Sequence, residues 1–253
     1  MKELSIIIPA YNEEARIGKT LDSYYNFFSK KLKNNFEIIV VPNNCKDRTQ
    51  EIVEKFVREH KNVLCRNINY YVGKGGAVIG GFKLAKGKLI GFVDADNSTK
   101  AEACYELYKN IDDYDCIVAS RWIKGAKVRP EQPLIRRIAS RIFNIIVRIL
   151  FRINIRDTQC GCKLFKREAL MKIIPSLSTT RWAFDVDLLY QLKRNGFKAK
   201  EIPTEWHDRP GSKLNVKKAS IEMFLAVSRL RLIYSPFKFI VKWYDKLVMG
   251  FNK

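Results

Sequence analysis

No two cysteines of this chain stand in a C-x-x-C pair, and its only histidines are His60 and His207, so the ligand sets of zinc fingers are missing. The six cysteines (Cys45, Cys65, Cys104, Cys116, Cys160 and Cys162) are scattered through apolar and loop segments, which suits small buried thiols in a reducing compartment. No apolar run reaches the roughly 18 residues that a spanning helix needs, so contact with a membrane is expected to be peripheral. The Met-Lys-Glu-Leu start lacks a charged leader and a cleavage site, and predicts a chain kept in the cytosol. Acidic residues are scarce, 26 against 47 Lys and Arg, and the resulting net charge of +21 favours anionic surfaces or polyanionic ligands. Internal repeats and low-complexity linkers are absent too. At 253 residues and 47% hydrophobic content, the chain fits one large globular unit with an appendage.

What is present is an alternation of short apolar runs with amphipathic segments. Leu4 to Ala10, Phe36 to Val41, Val63 to Asn67, Leu89 to Val93 and Cys116 to Ser120 read as strands. Helices are expected through Phe28, over Thr49 to Glu59, over Ala77 to Ala85 and over Lys100 to Lys109. This order predicts an α/β fold with a mostly parallel central sheet and helices on both faces. Ligands in such sheets bind beyond the carboxyl ends of the strands, where the loops carrying Tyr11 to Glu13, Pro42 to Asp47 and Asp94 to Asp96 converge.

Farther along, Leu134 to Ile153 is a basic helical stretch. On a helical wheel Ile135, Ile138, Ile142, Ile145, Ile146, Ile149 and Ile153 share one side, and Arg137, Arg141, Arg148 and Arg152 are expected within an arc of roughly 60° on the opposite side. Phe237, Ile240, Val241, Tyr244, Leu247, Val248 and Phe251 repeat the pattern, with Lys238, Lys242 and Lys246 on a separate face. Such helices lie in a bilayer interface or pack on a core with a solvated cationic face.

Three loops carry chemistry. Asp94-Ala95-Asp96 ends an apolar strand, where paired carboxylates suit Mg²⁺ or Mn²⁺ held against a diphosphate; the same residues also suit a helix cap at Asp96 or Asn97. Gly73-Lys74-Gly75-Gly76 lacks the Walker spacing and reads as a tight turn, with Lys74 near a phosphate as a second reading. Taken with Pro9-Ala10-Tyr11-Asn12-Glu13-Glu14, these loops resemble the family 2 glycosyltransferases of GT-A fold. The run Arg156 to Phe165 (RDTQCGCKLF), then Arg181 to Tyr190 (RWAFDVDLLY), then Gly211 to Leu214 (GSKL), looks like the dolichyl-phosphate β-glucosyltransferases.

The resemblance implies that Pro9, Tyr11 and Glu13 contact the nucleoside of a nucleotide-sugar donor. Asp94, Ala95 and Asp96 would face the metal and the diphosphate. Arg121, Arg137, Arg209, Ser212 and Lys213 would neutralise phosphates, with Asp185 and Asp187 near the acceptor, a dolichyl or polyprenyl phosphate. It implies a transferase domain over 1–215 that includes the interface helix 134–153, and a basic amphipathic segment over 216–253. The setting would be the anionic cytoplasmic face of a membrane. The chain departs from the family pattern in two places: Pro42-Asn43-Asn44-Cys45 replaces Asp-Asp-Gly-Ser, leaving the Asn43 amide to meet a base edge, and Ser98 stands where related mannosyltransferases carry Gln. UDP-glucose is the expected donor and GDP-mannose the alternative. A nucleic-acid-binding module would leave the strand-end carboxylates without a use, and no nucleic acid is expected.

Overall fold

The computed structural model describes residues 2–130, 134–178, 183–207 and 216–245. Arg209, Ser212 and Lys213 lie outside them, as do Arg181, Trp182, Gly211, Leu214 and the stretch from Lys246 onward.

The first half follows the predicted alternation: β1 (Lys2–Ala10), α1 (Ile17–Leu32), β2 (Phe36–Pro42), α2 (Thr49–Glu59), β3 (Val63–Cys65), α3 (Gly73–Leu84), β4 (Gly87–Val93), α4 (Ala101–Lys109) and β5 (Cys116–Ser120). After these come β6 (Lys127–Arg129), α5 (Leu134–Phe151), β7 (Cys162–Lys166), α6 (Arg167–Ile173), α7 (Phe184–Arg194), β8 (Ala199–Pro203), β9 (Glu205–His207) and α8 (Val216–Ile233). Seven strands form one sheet in the order β3-β2-β1-β4-β7-β5-β8, and β6 pairs with β9 in a small second sheet. All neighbours in the large sheet run parallel except β7, which is antiparallel to both β4 and β5.

Every residue of β2 is buried, as expected of a strand covered on both faces. Side chains alternate between two cores. Leu4, Ile6, Ile8, Ile38 and Val40 pack with α1, α2 and α4, whereas Ile7, Ile39 and Val41 pack with α3, α6 and α7. The sequence pattern misses β7 because a lysine, Lys163, interrupts its apolar run. That lysine is fully buried inside the sheet and has a carboxylate partner there.

Helix α5 divides into three sectors where the wheel suggested two. Asn144, Val147 and Phe151 face the body, Ile135, Ile138, Ile142, Ile145 and Ile149 are exposed, and the arginine row lies on the flank between them. Ile153, placed in the apolar row by periodicity, is past the helix end and buried. Helix α8 sends Val227 and Leu230 into the same core as α5 and α7, while Phe237, Phe239 and Trp243 after it are exposed. Among the described residues no helix is long and apolar enough to cross a membrane.

Candidate active site

The strand ends bring β1, β2, β4 and the starts of α3 and α7 to one crevice. Asp94 follows β4, whose last residue Val93 pairs with Cys162, so Gly161 lies beside Asp94 and accepts its backbone N–H at 3.1 Å. A Cβ at Gly161 would sit 1.7 Å from Asp94 Oδ2; only glycine leaves the room that this carboxylate occupies. On the other side, Lys74 Nζ meets Asp94 Oδ1 at 2.7 Å.

Lys74 does not sit in a loop turn. It is the second residue of α3, which Gly73 opens at φ 71°. A Cβ on Gly75 would lie 2.7 Å from the Phe184 ring, so glycine there allows α3 to approach the start of α7. That approach carries Lys74 Nζ to 3.9 Å from Asp185 Oδ2. Asp185 Oδ1 in turn accepts from Lys163 Nζ at 2.5 Å, and Lys163 also donates to the Cys160 carbonyl at 2.8 Å. The result is a row of alternating charge: Asp94, Lys74, Asp185, Lys163.

Burial pushes the Asp94 carboxyl above the usual carboxylate range, with Lys74 opposing and Asp96 adding to the rise. Burial alone would lower Lys74, but Asp94 and then Asp185 outweigh it and hold the ammonium above its ordinary value. Asp185 is likewise penalised by burial, yet Lys163 and Lys74 keep it below the ordinary range and therefore ionised.

Asp96 accepts the Ser98 N–H at 2.9 Å, and Asn97 follows it in the left-handed region at φ 56°. The residue capping α4 is Lys100, so the helix-cap reading of Asp96 and Asn97 fails. Ala95 is buried and its carbonyl accepts the Thr20 hydroxyl at 2.7 Å; it fixes the turn and offers no side chain to a ligand. Glu13 is clamped by Arg16 at 2.6 and 2.8 Å. Burial, reinforced by Asp96 and Asp94, still raises its carboxyl above normal. Tyr11 is 49% exposed at the rim and meets Tyr71 edge-on, centroids 5.9 Å apart. Pro9 is half-buried in β1, opposite Val41. Pro9, Tyr11 and Glu13 thus stand at and just past the carboxyl end of β1.

Several expectations need correction. Asn43 is only 3% exposed and its Oδ1 accepts the Val72 N–H at 3.0 Å, so it braces the start of α3 and does not present that oxygen to a base. Arg121 is committed to Asp157: its Nε and Nη2 donate to the two carboxylate oxygens at 2.8 and 2.9 Å, and its backbone N–H donates at 2.9 Å. It therefore anchors the loop after β5 before it serves any phosphate. Asp187, two residues beyond Asp185 on α7, points elsewhere; it accepts the Ser178 N–H at 2.6 Å and contacts the Tyr234 hydroxyl at 2.8 Å. Burial pushes its carboxyl up to about 6. Arg137 is half-buried on α5.

Sequence reasoning missed Lys163, Tyr71 and Gly161. The glycine between two cysteines in a segment without turn character was the one available signal, since an isolated strand glycine often marks a close approach. Asp94 and Asp96 supply carboxylate oxygens, and among the described residues no group of three or more His, Cys, Asp or Glu side chains forms a metal cage. Two carboxylates at an open strand end, with space preserved by Gly161, fit a hard divalent cation that completes its shell with phosphate oxygens and water.

Comparison with known proteins agrees with this geometry. Residues 5–174 match the family described as Glycosyl transferase family 2. The chain is 34% identical to the dolichyl-phosphate beta-glucosyltransferase of Dictyostelium discoideum over 91% of its own length and 74% of the relative's. With the Homo sapiens enzyme of the same name it shares 34% identity, covering 84% of this chain and 70% of that one. In three dimensions it resembles the glucosyl-3-phosphoglycerate synthase of Mycobacterium tuberculosis in complex with Mn²⁺, uridine diphosphate and phosphoglyceric acid, with a TM-score of 0.67, 15% identity, and 93% of this chain and 80% of that chain covered. With a mostly parallel sheet whose strand-end Asp94 is flanked by Gly161 and Lys74, and with a match spanning most of its length, this chain belongs to glycosyl transferase family 2.

Proposed function

We propose that the chain transfers glucose from UDP-glucose onto dolichyl or polyprenyl phosphate, inverting the sugar linkage, while bound peripherally at the anionic cytoplasmic face of a membrane. The observation that carries this reading is the charge row Asp94, Lys74, Asp185, Lys163 at the strand ends, in a chain 34% identical to dolichyl-phosphate beta-glucosyltransferases over most of its length. Mg²⁺ or Mn²⁺ held by Asp94 and Asp96 would neutralise the leaving diphosphate.

The chain's own residues do the rest. Tyr11 and Tyr71 offer ring surfaces to the base. Lys74 brings a positive charge to the crevice within reach of a donor phosphate, and Asp185, kept ionised by two lysines, holds that ammonium in place. A phosphate monoester acceptor is already largely a dianion at neutral pH, its second pKa being about 6, so attack on the anomeric carbon needs no protein base. Alignment and charge neutralisation then suffice, and direct displacement converts an α-linked donor to a β-linked product. The exposed isoleucine row of α5, flanked by arginines, supports the peripheral membrane contact.

The test is incubation of the purified protein with a panel of UDP- and GDP-sugars, polyprenyl phosphate and Mg²⁺ or Mn²⁺, with the product identified by mass. A hexosyl prenyl phosphate formed from UDP-glucose is expected. Product from GDP-mannose alone would overturn the donor, and transfer only to hydroxyl acceptors would overturn the base-free chemistry.

A further inference from the structure

Lys163 is sealed from solvent. Its side chain is fully buried in β7, and its ammonium is engaged inside the protein, donating to Asp185 Oδ1 at 2.5 Å and to the Cys160 carbonyl at 2.8 Å. The buried Phe92 ring packs against both lysines of the charge row, its centre 5.2 Å from Lys163 Nζ and 5.5 Å from Lys74 Nζ. An ion pair buried in this way rarely adds stability over a well-packed apolar pair of the same volume, so stability is a poor explanation for a lysine at this place. Its consequence for the crevice lies in what it does to Asp185.

Asp185 is the crevice carboxylate with no other task. Asp94 and Asp96 form the strand-end pair suited to a cation, Glu13 is clamped by Arg16 at 2.6 and 2.8 Å, and Asp187 is turned to Ser178 and Tyr234. Asp185 stands at the start of α7, and Lys74, the cation that also touches Asp94, is 3.9 Å from its Oδ2. Burial by itself would raise the Asp185 carboxyl, the change that turns a carboxylate into a general base. Lys163 on β7 and Lys74 on α3 pull the other way, with Arg121 after β5 behind them, and they prevail. A carboxylate so held is a poor proton acceptor, because a general base works best when its proton affinity matches the working pH.

We propose that Lys163 confines this crevice to acceptors that already carry negative charge: by holding Asp185 Oδ1 it denies water and neutral hydroxyls the carboxylate that could take their proton. In hydrolysis of the donor, a water oxygen bonds to the anomeric carbon as the bond to the diphosphate oxygen breaks, and the proton of the water must pass to a base. A phosphate monoester brings an oxygen already stripped of its proton. Lys163 is thus a positioning residue that acts through Asp185 and sets the class of acceptor without touching it. The inference rests on the reading that the acceptor is a phosphate monoester, and goes beyond it by naming the residue that excludes the alternatives.

Wild type, Lys163→Met and Lys163→Met/Asp185→Asn are incubated with UDP-glucose and Mn²⁺ without acceptor, and free glucose is measured beside released UDP; parallel reactions contain farnesyl phosphate. General-base assistance is worth roughly 10²–10⁴-fold, so hydrolysis by Lys163→Met is expected to rise about tenfold or more while transfer to farnesyl phosphate does not rise. Adding Asp185→Asn is expected to return hydrolysis to the wild-type level, which a merely loosened site would not do. Lys163→Gln, with and without Asp185→Asn, serves in the same way if a thermal melt shows that the methionine variant does not fold. The proposal is overturned if the lysine variants hydrolyse the donor within twofold of wild type. It is equally overturned if Lys163→Met/Asp185→Asn hydrolyses as fast as Lys163→Met, which would make the effect one of water entry. Absence of a farnesyl product with wild type would instead strike the phosphate-acceptor reading, because the hydrolysis comparison contains no acceptor.

Discussion

Gly161→Ala isolates the position of one carboxylate from everything else in the site. The backbone at Gly161 is outside the left-handed region, so alanine introduces no conformational strain. Its Cβ would fall 1.7 Å from Asp94 Oδ2, and real Cβ contacts essentially never come under 3.0 Å, so the oxygen must retreat by about 1.3 Å. Asp94 Cγ at 2.3 Å and Oδ1 at 2.8 Å from that Cβ must move as well, so the whole carboxylate at the crevice lip swings aside, and the fold should absorb the movement within about 1 kcal/mol, a melting shift of no more than about 4 °C. Function should not absorb it. The same carboxylate holds Lys74 at 2.7 Å, and a misplacement of about 1 Å in a catalytic constellation costs on the order of a hundredfold, near 2.7 kcal/mol of activation free energy. The assay is single-turnover transfer to a short prenyl phosphate at saturating metal, run beside a thermal melt. Transfer within threefold of wild type would refute the argument that Gly161 positions Asp94. A melt lowered by 10 °C or so would instead trace the loss to the sheet.

Other variants test other links. Asp96→Asn should remain folded and abolish transfer, because the amide removes a charge from the strand-end pair; activity like wild type at saturating metal would remove Asp96 from the site. Lys163→Met should destabilise by roughly 3 kcal/mol in denaturant titrations, since it leaves Asp185 buried beside a lysine at 3.9 Å only, whereas Lys163→Met/Asp185→Leu should recover much of the stability but not the activity. The Tyr234 hydroxyl has one proton and two acceptors, the Ser176 carbonyl at 2.9 Å and Asp187, a conflict that a protonated Asp187 resolves. Because the folded carboxyl titrates near 6, above its unfolded value, stability should fall as pH rises from about 4 to 6 and stay lower above that; Asp187→Asn should flatten this slope and stabilise the protein at pH 7.5 by on the order of 1–3 kcal/mol, read from denaturant midpoints. Ile138→Ser/Ile142→Ser/Ile149→Ser should leave the melt unchanged, since all three side chains are exposed, and weaken cosedimentation with anionic vesicles by about tenfold or more; unchanged cosedimentation would take α5 off the membrane.

The sequence by itself determined the left half of the sheet, because strands buried on both faces are written as unbroken apolar runs and their helices carry complete periodicity. It also determined that Tyr11, Glu13, Asp94 and Asp96 share a crevice, since residues just past parallel strand ends have no other place to go. It did not reveal β7, the one antiparallel strand of the large sheet, because a buried lysine in a strand looks polar until the tertiary structure supplies Asp185. Nor did it separate Asp185 from Asp187: both stand in one short motif, and only the helical rotation between them sends one to the lysines of the crevice and the other to Tyr234. Arg121 and Asn43 had the right chemistry for phosphate and base, but the fold spends those groups on Asp157 and Val72. Hydrogen-bonding capacity is local to a residue and legible in its type, whereas the partner that uses it comes from chain segments tens of residues away and is fixed only when the sheet closes.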